Sequence, residues 1–306
     1  MTTPPAPPPK PLPLAAWPTG ARASIVGVMT DIDDTLTRDG AIEPVALEAL
    51  QALDAAGLPV VAITGRPHGW SLPFARDWPV AAIVAENGAV ALLREGDRVH
   101  TEFAQDAATR AANALRLQAT AVRILREVPG ATLARDSAGR LTDIAVDHSE
   151  FTTLAPDAIA HVVALMREEG MTATVSSIHV NGWYGTHSKW SGAQWMLRRL
   201  FGRELEAELA RWVYVGDSTN DQVMFERFPA SVGVANLMRF AAELAHWPTW
   251  ITSGERGEGF AELARALLQA RAPERTPQGR DSPASASSAI AGPPGTAEPF
   301  LVRTGQ

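Results

Sequence analysis

The sequence contains no cysteine. Disulfides and thiolate metal sites are therefore excluded, and any bound metal must be held by oxygen or imidazole, which suits a hard cation in a reducing compartment. A cytoplasmic location is expected. No apolar run approaches the roughly 20 residues needed to cross a bilayer. The N-terminus is Pro-rich and lacks a basic end followed by an apolar segment, so neither secretion nor a membrane partner is expected. Positive charge is also scarce: 27 Lys and Arg face 34 Asp and Glu, for a net charge of −7 and a pI near 5.5. That balance argues against a nucleic-acid-binding surface and leaves room for small anionic substrates where cations are gathered locally. Lysine is scarcest, with only Lys10 and Lys189 in the chain. Lys10 lies in the Pro-rich leader. An arginine-rich body that keeps a lysine at 189 points to a need for a compact ammonium on a flexible stem, which a planar guanidinium does not imitate; drift of composition is the plainer alternative.

With 306 residues the chain is long enough to bury a full core. Residues 1–20 hold eight prolines, and 271–306 are rich in Pro, Ala, Ser and Gly, so disordered or extended ends are expected. Between them strand and helix patterns alternate, as in a parallel sheet with crossover helices. Ile25 to Met29 reads as a buried strand. A helix follows from Pro44, with Ala46, Leu50 and Leu53 inward and Gly57 as its stop. Leu58–Ile63 and Ala81–Val84 read as further strands, the second running into the turn signal Glu86-Asn87-Gly88-Ala89. From 91 to 185 the texture changes to longer connections, a helix near 104–126, a second from Pro156, and strands near Thr132, Leu141–Val146 and Thr172–Val180. This reads as an α+β module inserted into a core of residues 21–90 and 186–270. The core resumes with a helix from Lys189, the strand Trp212–Val215, a short strand Ser231–Val234 and a closing helix Phe260–Leu268.

The chemistry gathers at strand ends. Asp31 and Asp33 leave the first strand two residues apart, on one face. Two like charges so close repel unless a cation or a shared proton offsets them. An Asp-rich turn that caps a helix would use the same residues. In an open parallel sheet the ligand crevice lies beyond the carboxyl ends of the strands, and two further ends carry Thr64 and the loop Gly216-Asp217-Ser218-Thr219-Asn220-Asp221. A magnesium ion, with six oxygens in its shell and waters among them, needs only two or three carboxylates. Asp31 and Asp217 are the first candidates, and Asp221 could bind directly or through water.

Taken in order, these segments resemble the haloacid dehalogenase superfamily. The strand followed by Asp31-x-Asp33-x-Thr35 matches its first motif, Thr64-Gly65-Arg66 its second, Lys189 its third and Gly216-Asp217-x-x-Asn220-Asp221 its fourth. Asn87-Gly88-Ala89, Val232-Gly233-Val234-Ala235-Asn236 and Glu258-Gly259-Phe260 resemble the Cof-type branch, subclass IIB, which includes sucrose-phosphate, trehalose-phosphate and mannosyl-phosphoglycerate phosphatases. The resemblance implies an α/β fold, a Rossmann-like parallel sheet core with an inserted α+β cap of type IIB. It implies a Mg²⁺-dependent phosphatase acting on a small phosphorylated metabolite, a sugar or sugar-like phosphate. Asp31 would be the nucleophile, Asp33 the acid and base and, through its backbone carbonyl, a metal ligand. Thr64 would bind phosphoryl oxygens and Lys189 would offset the charge on Asp31 and phosphate. Asp31, Asp33, Asp217 and Asp221 make up the expected metal set. Asp34 stands where many relatives have Gly. The cap is expected to supply substrate contacts through Asn181, Trp183 and His187, with Tyr184 a further stacking candidate, and Arg66 and Asn220 are the core's candidates; for the aromatics, packing at the hinge is the alternative, and for Arg66, bracing of its loop. His161 and His179 read as structural. A sugar-phosphate mutase and a non-catalytic binding module are the rival readings.

Overall fold

The computed structural model describes residues 10–271; the expected disorder of the first nine residues, and of the tail beyond Arg271, lies outside them. The larger sheet is built from β1 (Leu12–Pro13), β2 (Gly27–Thr30), β5 (Val60–Ile63), β6 (Ala82–Ala85), β7 (Val90–Glu95), β8 (Arg98–Phe103), β13 (Trp212–Gly216), β14 (Ser231–Gly233) and β15 (Trp250–Ile251), and a small hairpin, β3 (Thr37–Arg38) with β4 (Ala41–Ile42), follows β2. The sheet order is β1-β15-β14-β13-β2-β5-β6-β7-β8. Every pairing from β1 to β6 is parallel, and β7 and β8 add an antiparallel edge. The central strands are apolar runs buried on both faces, as expected where crossover helices cover a parallel sheet twice. One face packs on the helices Pro44–Ala55 and Arg256–Arg271 through Leu50, Leu53, Phe260 and Leu267; the other packs on the helix Lys189–Phe201 through Ala193, Met196 and Leu197.

A second sheet, of order β11-β12-β10-β9, is made of β9 (Thr132–Leu133), β10 (Asp143–Asp147), β11 (Thr172–Val175) and β12 (His179–Trp183). Its core, with Val146, Val162, Leu165, Met166 and Val180, is closed by the helices Ala107–Glu127 and Pro156–Glu168. The architecture is thus an α/β core with an α+β insertion. Among the described residues no helix is long and apolar enough to cross a membrane.

Two expectations need correction. Residues 91–103 belong to the larger sheet as β7 and β8, because the Gly96-Asp97 turn returns the chain antiparallel onto β6 and β7. Residues 12–17 are ordered, although the leader is rich in proline. Leu12 and Pro13 pair with Trp250 and Ile251, and Leu14 and Trp17 are buried, with Trp17 stacked on Trp250 at 5.9 Å. Proline is tolerated there because β1 is an edge strand.

Candidate active site

Register brings three strand ends together. Thr30 on β2 lies opposite Val215 on β13 and Ala62 on β5, so Asp31, Asp217 and Thr64 leave neighbouring strands at the same edge. The Asp31 amide donates to the Val215 carbonyl at 2.9 Å, holding the first acidic loop on the second. Among the described residues, Asp31, Asp217 and Asp221 offer carboxylate oxygens that all lie within 4.8 Å of one another.

Lys189 opens the helix Lys189–Phe201, whose N-terminus is closed by a Ser188/Ser191 capping box. A cation in the first turn of a helix opposes the macrodipole, so the position needs anionic partners. It has them: Nζ donates to Asp31 at 2.6 Å and to Asp221 at 2.7 Å, with Asn220 at 3.3 Å. Gly88 makes this placement feasible. Its φ is +106°, and a Cβ there would collide with the Ser188 carbonyl. Only glycine lets the helix start come so close to the end of β6.

Burial opposes charge on Lys189, but Asp221 and Asp31 outweigh it and hold its pKa above the ordinary lysine value. Burial pushes Asp31 up to about 8, with Lys189 pulling down and Asp221 and Asp33 adding to the rise. Burial, with Asp31 and Asp221 nearby, likewise drives Asp217 well above the usual carboxylate range. Fully ionised, the cluster would carry more negative charge than one ammonium offsets, and burial adds to the cost. Asp217 Oδ2 accepts from Asn236 at 3.0 Å, whereas its Oδ1 is buried and, among the described residues, accepts nothing.

Asp221 is differently engaged. One oxygen accepts from Lys189 and from the Tyr214 hydroxyl; the other accepts from the amides of Asp217 and Ser218 at 2.9 and 3.1 Å. Four lone-pair sites thus meet four donors, so Asp221 holds Lys189 and the loop, and a direct metal bond to it would displace one of them. Thr64 is fully buried beside them, its hydroxyl oxygen accepting from the Arg66 amide at 3.0 Å. Asp34 sits at φ +53°, a conformation natural to glycine. Its carboxylate pairs with Arg256 at 2.6 Å.

Asp33 turns toward the insertion. Arg66 Nε donates to its Oδ1 at 2.9 Å, and the remaining guanidinium nitrogens reach Asp136 at 3.2 Å and Glu150 at 2.7 and 3.3 Å. Burial opposes the charge on Arg66, while Asp33 and Glu150 raise its pKa further. Arg66 makes four of the five hydrogen bonds a guanidinium can donate; of its two expected roles, phosphate contact and bracing, these bonds are those of a brace. Asn181 reaches the site from β12, donating to Gly65 at 3.3 Å and Asp143 at 3.1 Å. With His179, Asn220, Asp31 and Asp33 it lines a gap of about 10 Å³ directly over the acidic cluster, room for about one water. A cavity of about 340 Å³ adjoins it, between Asp33, Asp34, Arg66 and Arg256 of the core and Ser149 and Glu150 of the insertion.

The structure does not turn the expected aromatic contacts toward that cavity. Trp183 is 1 % exposed, donates its indole N–H to the His187 carbonyl at 3.0 Å and stacks on the His187 ring. Tyr184 is buried in the insertion with its hydroxyl on Thr120. Tyr184 serves the insertion core, whereas Trp183 lines a second cavity, of about 490 Å³, with Lys189 and Asn220. His161 is exposed on its helix, and His179 is buried against Glu150 at 2.9 Å. Sequence reasoning gave no site role to Tyr214, Asp136 or Glu150, and read Asn236 only as the last residue of the motif Val232-Gly233-Val234-Ala235-Asn236.

A family model described as haloacid dehalogenase-like hydrolase matches residues 28–129. No curated protein matches by sequence. Solved structures do match in fold. A Thermoplasma acidophilum protein has a TM-score of 0.62 at 16 % identity, covering 80 % of this chain and 98 % of its own. The Synechocystis sucrose-phosphatase in complex with sucrose and phosphate has a TM-score of 0.57 at 14 % identity, covering 79 % and 98 %. A subclass IIB sugar phosphatase has a TM-score of 0.53 at 16 % identity, also covering 79 % and 98 %.

Proposed function

We propose that the chain is a haloacid dehalogenase-like hydrolase, the family whose model matches residues 28–129, and that it acts as a divalent-metal-dependent phosphatase of a sugar or sugar-like phosphomonoester. The observation that carries this reading is the meeting of Asp31, Asp217 and Lys189 at one sheet edge. The donor set fits a hard cation: it is all oxygen, it has more carboxylates than one ammonium can offset once ionised, and Asp217 Oδ1 is a buried acceptor with no donor among the described residues. Asp31 and Asp217 would hold the ion, with the Asp33 backbone carbonyl as the superfamily resemblance implies. Bound there, magnesium would offset the repulsion between the carboxylates and a phosphoryl dianion, each unit pair of which costs about 4 kcal/mol at 4 Å and an effective dielectric near 20.

The residues then divide the work. An Asp31 oxygen attacks phosphorus, forming an aspartyl-phosphate as the ester P–O bond breaks. Asp33, two residues on and facing the larger cavity, gives its proton to the departing alkoxide. In the second half water attacks phosphorus, Asp33 takes a proton from it, and Asp31 is released with inorganic phosphate. Lys189, fixed by Asp221, keeps a positive charge beside the attacking oxygen throughout. Thr64 is placed to bond a phosphoryl oxygen. Similarity in fold to sucrose-phosphatase and to a subclass IIB sugar phosphatase supports a polyhydroxyl leaving group, and the polar 340 Å³ cavity beside Asp33 suits one.

The test is phosphate release from a panel of sugar phosphates with and without EDTA, in wild type and Asp31→Asn. EDTA-sensitive release abolished by the substitution is expected. Release that survives both treatments contradicts the reading, and an isomerised sugar phosphate in place of free phosphate would mark a mutase.

A further inference from the structure

We propose that Glu150 is a positioning residue that sets Asp33, through Arg66, for proton transfer to the leaving group. This rests on the phosphatase reading above and deepens it: the insertion would complete the acid step when it closes. Glu150 touches neither Asp31 nor Asp33 by hydrogen bond. It grips the far end of the guanidinium whose Nε holds Asp33, with two contacts of 2.7 and 3.3 Å. Arg66 is 4 % exposed and lies over the Trp70 ring, so it has little freedom of its own. A fork held at both ends transmits position, because its planar donors fix both carboxylates relative to each other.

The insertion in turn holds Glu150 firmly. Asp147 at the end of β10 accepts from the amides of Ser149, Glu150 and Phe151 at 3.1, 2.9 and 3.0 Å, which ties down the turn that presents it. His179, the cross-strand partner of Asp147, is hydrogen-bonded through Nε2 to Glu150 Oε2 at 2.9 Å. Asp136 adds a further contact from the insertion to Arg66 at 3.2 Å. All of these contacts to Arg66 except that to Asp33 come from the insertion, and the gap over the acidic cluster is about 10 Å³ when they are made. A phosphoryl group therefore enters only if the insertion swings away. Opening must release Arg66 from Glu150 and Asp136, and closing must restore it. Asp33 would thus be set by this relay only when the insertion returns over bound substrate, at a separation wide enough to hold the phosphoryl group.

The experiment varies the leaving group at constant size. Wild type, Glu150→Gln and Asp136→Asn are assayed as kcat/KM on a series of para-substituted phenyl phosphates, from p-nitrophenyl, whose phenolate departs without a proton, to p-methoxyphenyl, which needs one. General-acid help is worth about 10²–10⁴-fold. Loss of positioning is expected to leave the p-nitrophenyl ester within about twofold of wild type and to slow the p-methoxyphenyl ester about tenfold or more, steepening the dependence on leaving-group acidity. Asp136→Asn, expected to act in the same direction, carries the test if Glu150→Gln does not fold. A uniform loss across the series overturns the proposal in favour of a structural or substrate-contact role, and so does no loss. Absence of EDTA-sensitive release from any ester by wild type would overturn the phosphatase reading itself, and this proposal with it.

Discussion

Replacing Asp31 with Asn should remove a cost that the folded metal-free protein carries. The Asp31 carboxyl is raised from its ordinary value of 3.8 to about 8 by burial and by Asp221 and Asp33, against the pull of Lys189. The unfolded chain ionises this group near 4, while the folded chain keeps its proton to about 8. Between those limits the native state binds more protons, so stability falls as pH rises. From pH 5 to pH 8 the loss is about 4 kcal/mol at 1.36 kcal/mol per pKa unit, of order 10 °C in melting temperature for a domain of this size. His187 works the other way, since burial lowers its pKa to about 4 and makes acidification destabilising below 6.5. Comparing wild type with Asp31→Asn cancels that contribution. Melting followed by circular dichroism in EDTA across pH 5–8 should show the variant more stable than wild type at pH 8 and the two converging toward pH 5. Magnesium should raise the wild-type melting temperature at pH 8 more than that of the variant. Equal melting curves in EDTA at pH 8, or a less stable variant, would refute the argument that the cluster is overcharged.

Lys189→Met should leave Asp31 and Asp221 without their shared ammonium and lower kcat on p-nitrophenyl phosphate by about 10²–10³-fold; retention of wild-type turnover would show that the ammonium is not needed. Gly88→Ala should cost more than about 4 kcal/mol in urea unfolding, since it combines a φ of +106° with a clash on backbone. Trp17→Ala should cost about 3–5 kcal/mol by the same measurement if the leader is anchored on Trp250 as described; a change below about 1 kcal/mol would mean that the segment contributes nothing.

The sequence made the site's core legible because its residues are tied to strand ends. Apolar runs locate β2, β5 and β13, and the rule that ligands gather beyond their carboxyl edge joins Asp31, Thr64 and Asp217 across nearly 190 positions. The lone body lysine was legible from composition alone. Contacts between the insertion and the core were not. Arg66 is separated from Asp136 and Glu150 by 70 and 84 residues, and pairing at that range leaves no periodicity to read. Glu86 is the same case: it is fully buried and accepts from the amides of His68, Leu141 and Thr142, yet in sequence it is one letter of a turn.

Two further misreadings have a common cause. Trp183 and Tyr184 read as stacking candidates and His187 as a hydroxyl donor because they stand beside Lys189, but all three are buried, Trp183 against the His187 ring and Tyr184 in the insertion core. The leader looked disordered because proline dominates it, whereas Leu14 and Trp17 find apolar partners more than 200 residues away. In both cases local composition was outweighed by a tertiary contact. Residues 91–103 read as insertion because the texture changes there, and texture alone does not say which sheet receives β7 and β8.

The central claim is that Asp31 accepts the phosphoryl group. Acid quenching of wild type during turnover with magnesium, followed by peptide mass spectrometry, should find phosphate on the peptide that contains Asp31, and should find none in EDTA or in Asp31→Asn. Steady release of inorganic phosphate with no phosphorylated Asp31 under any quench time would contradict the account.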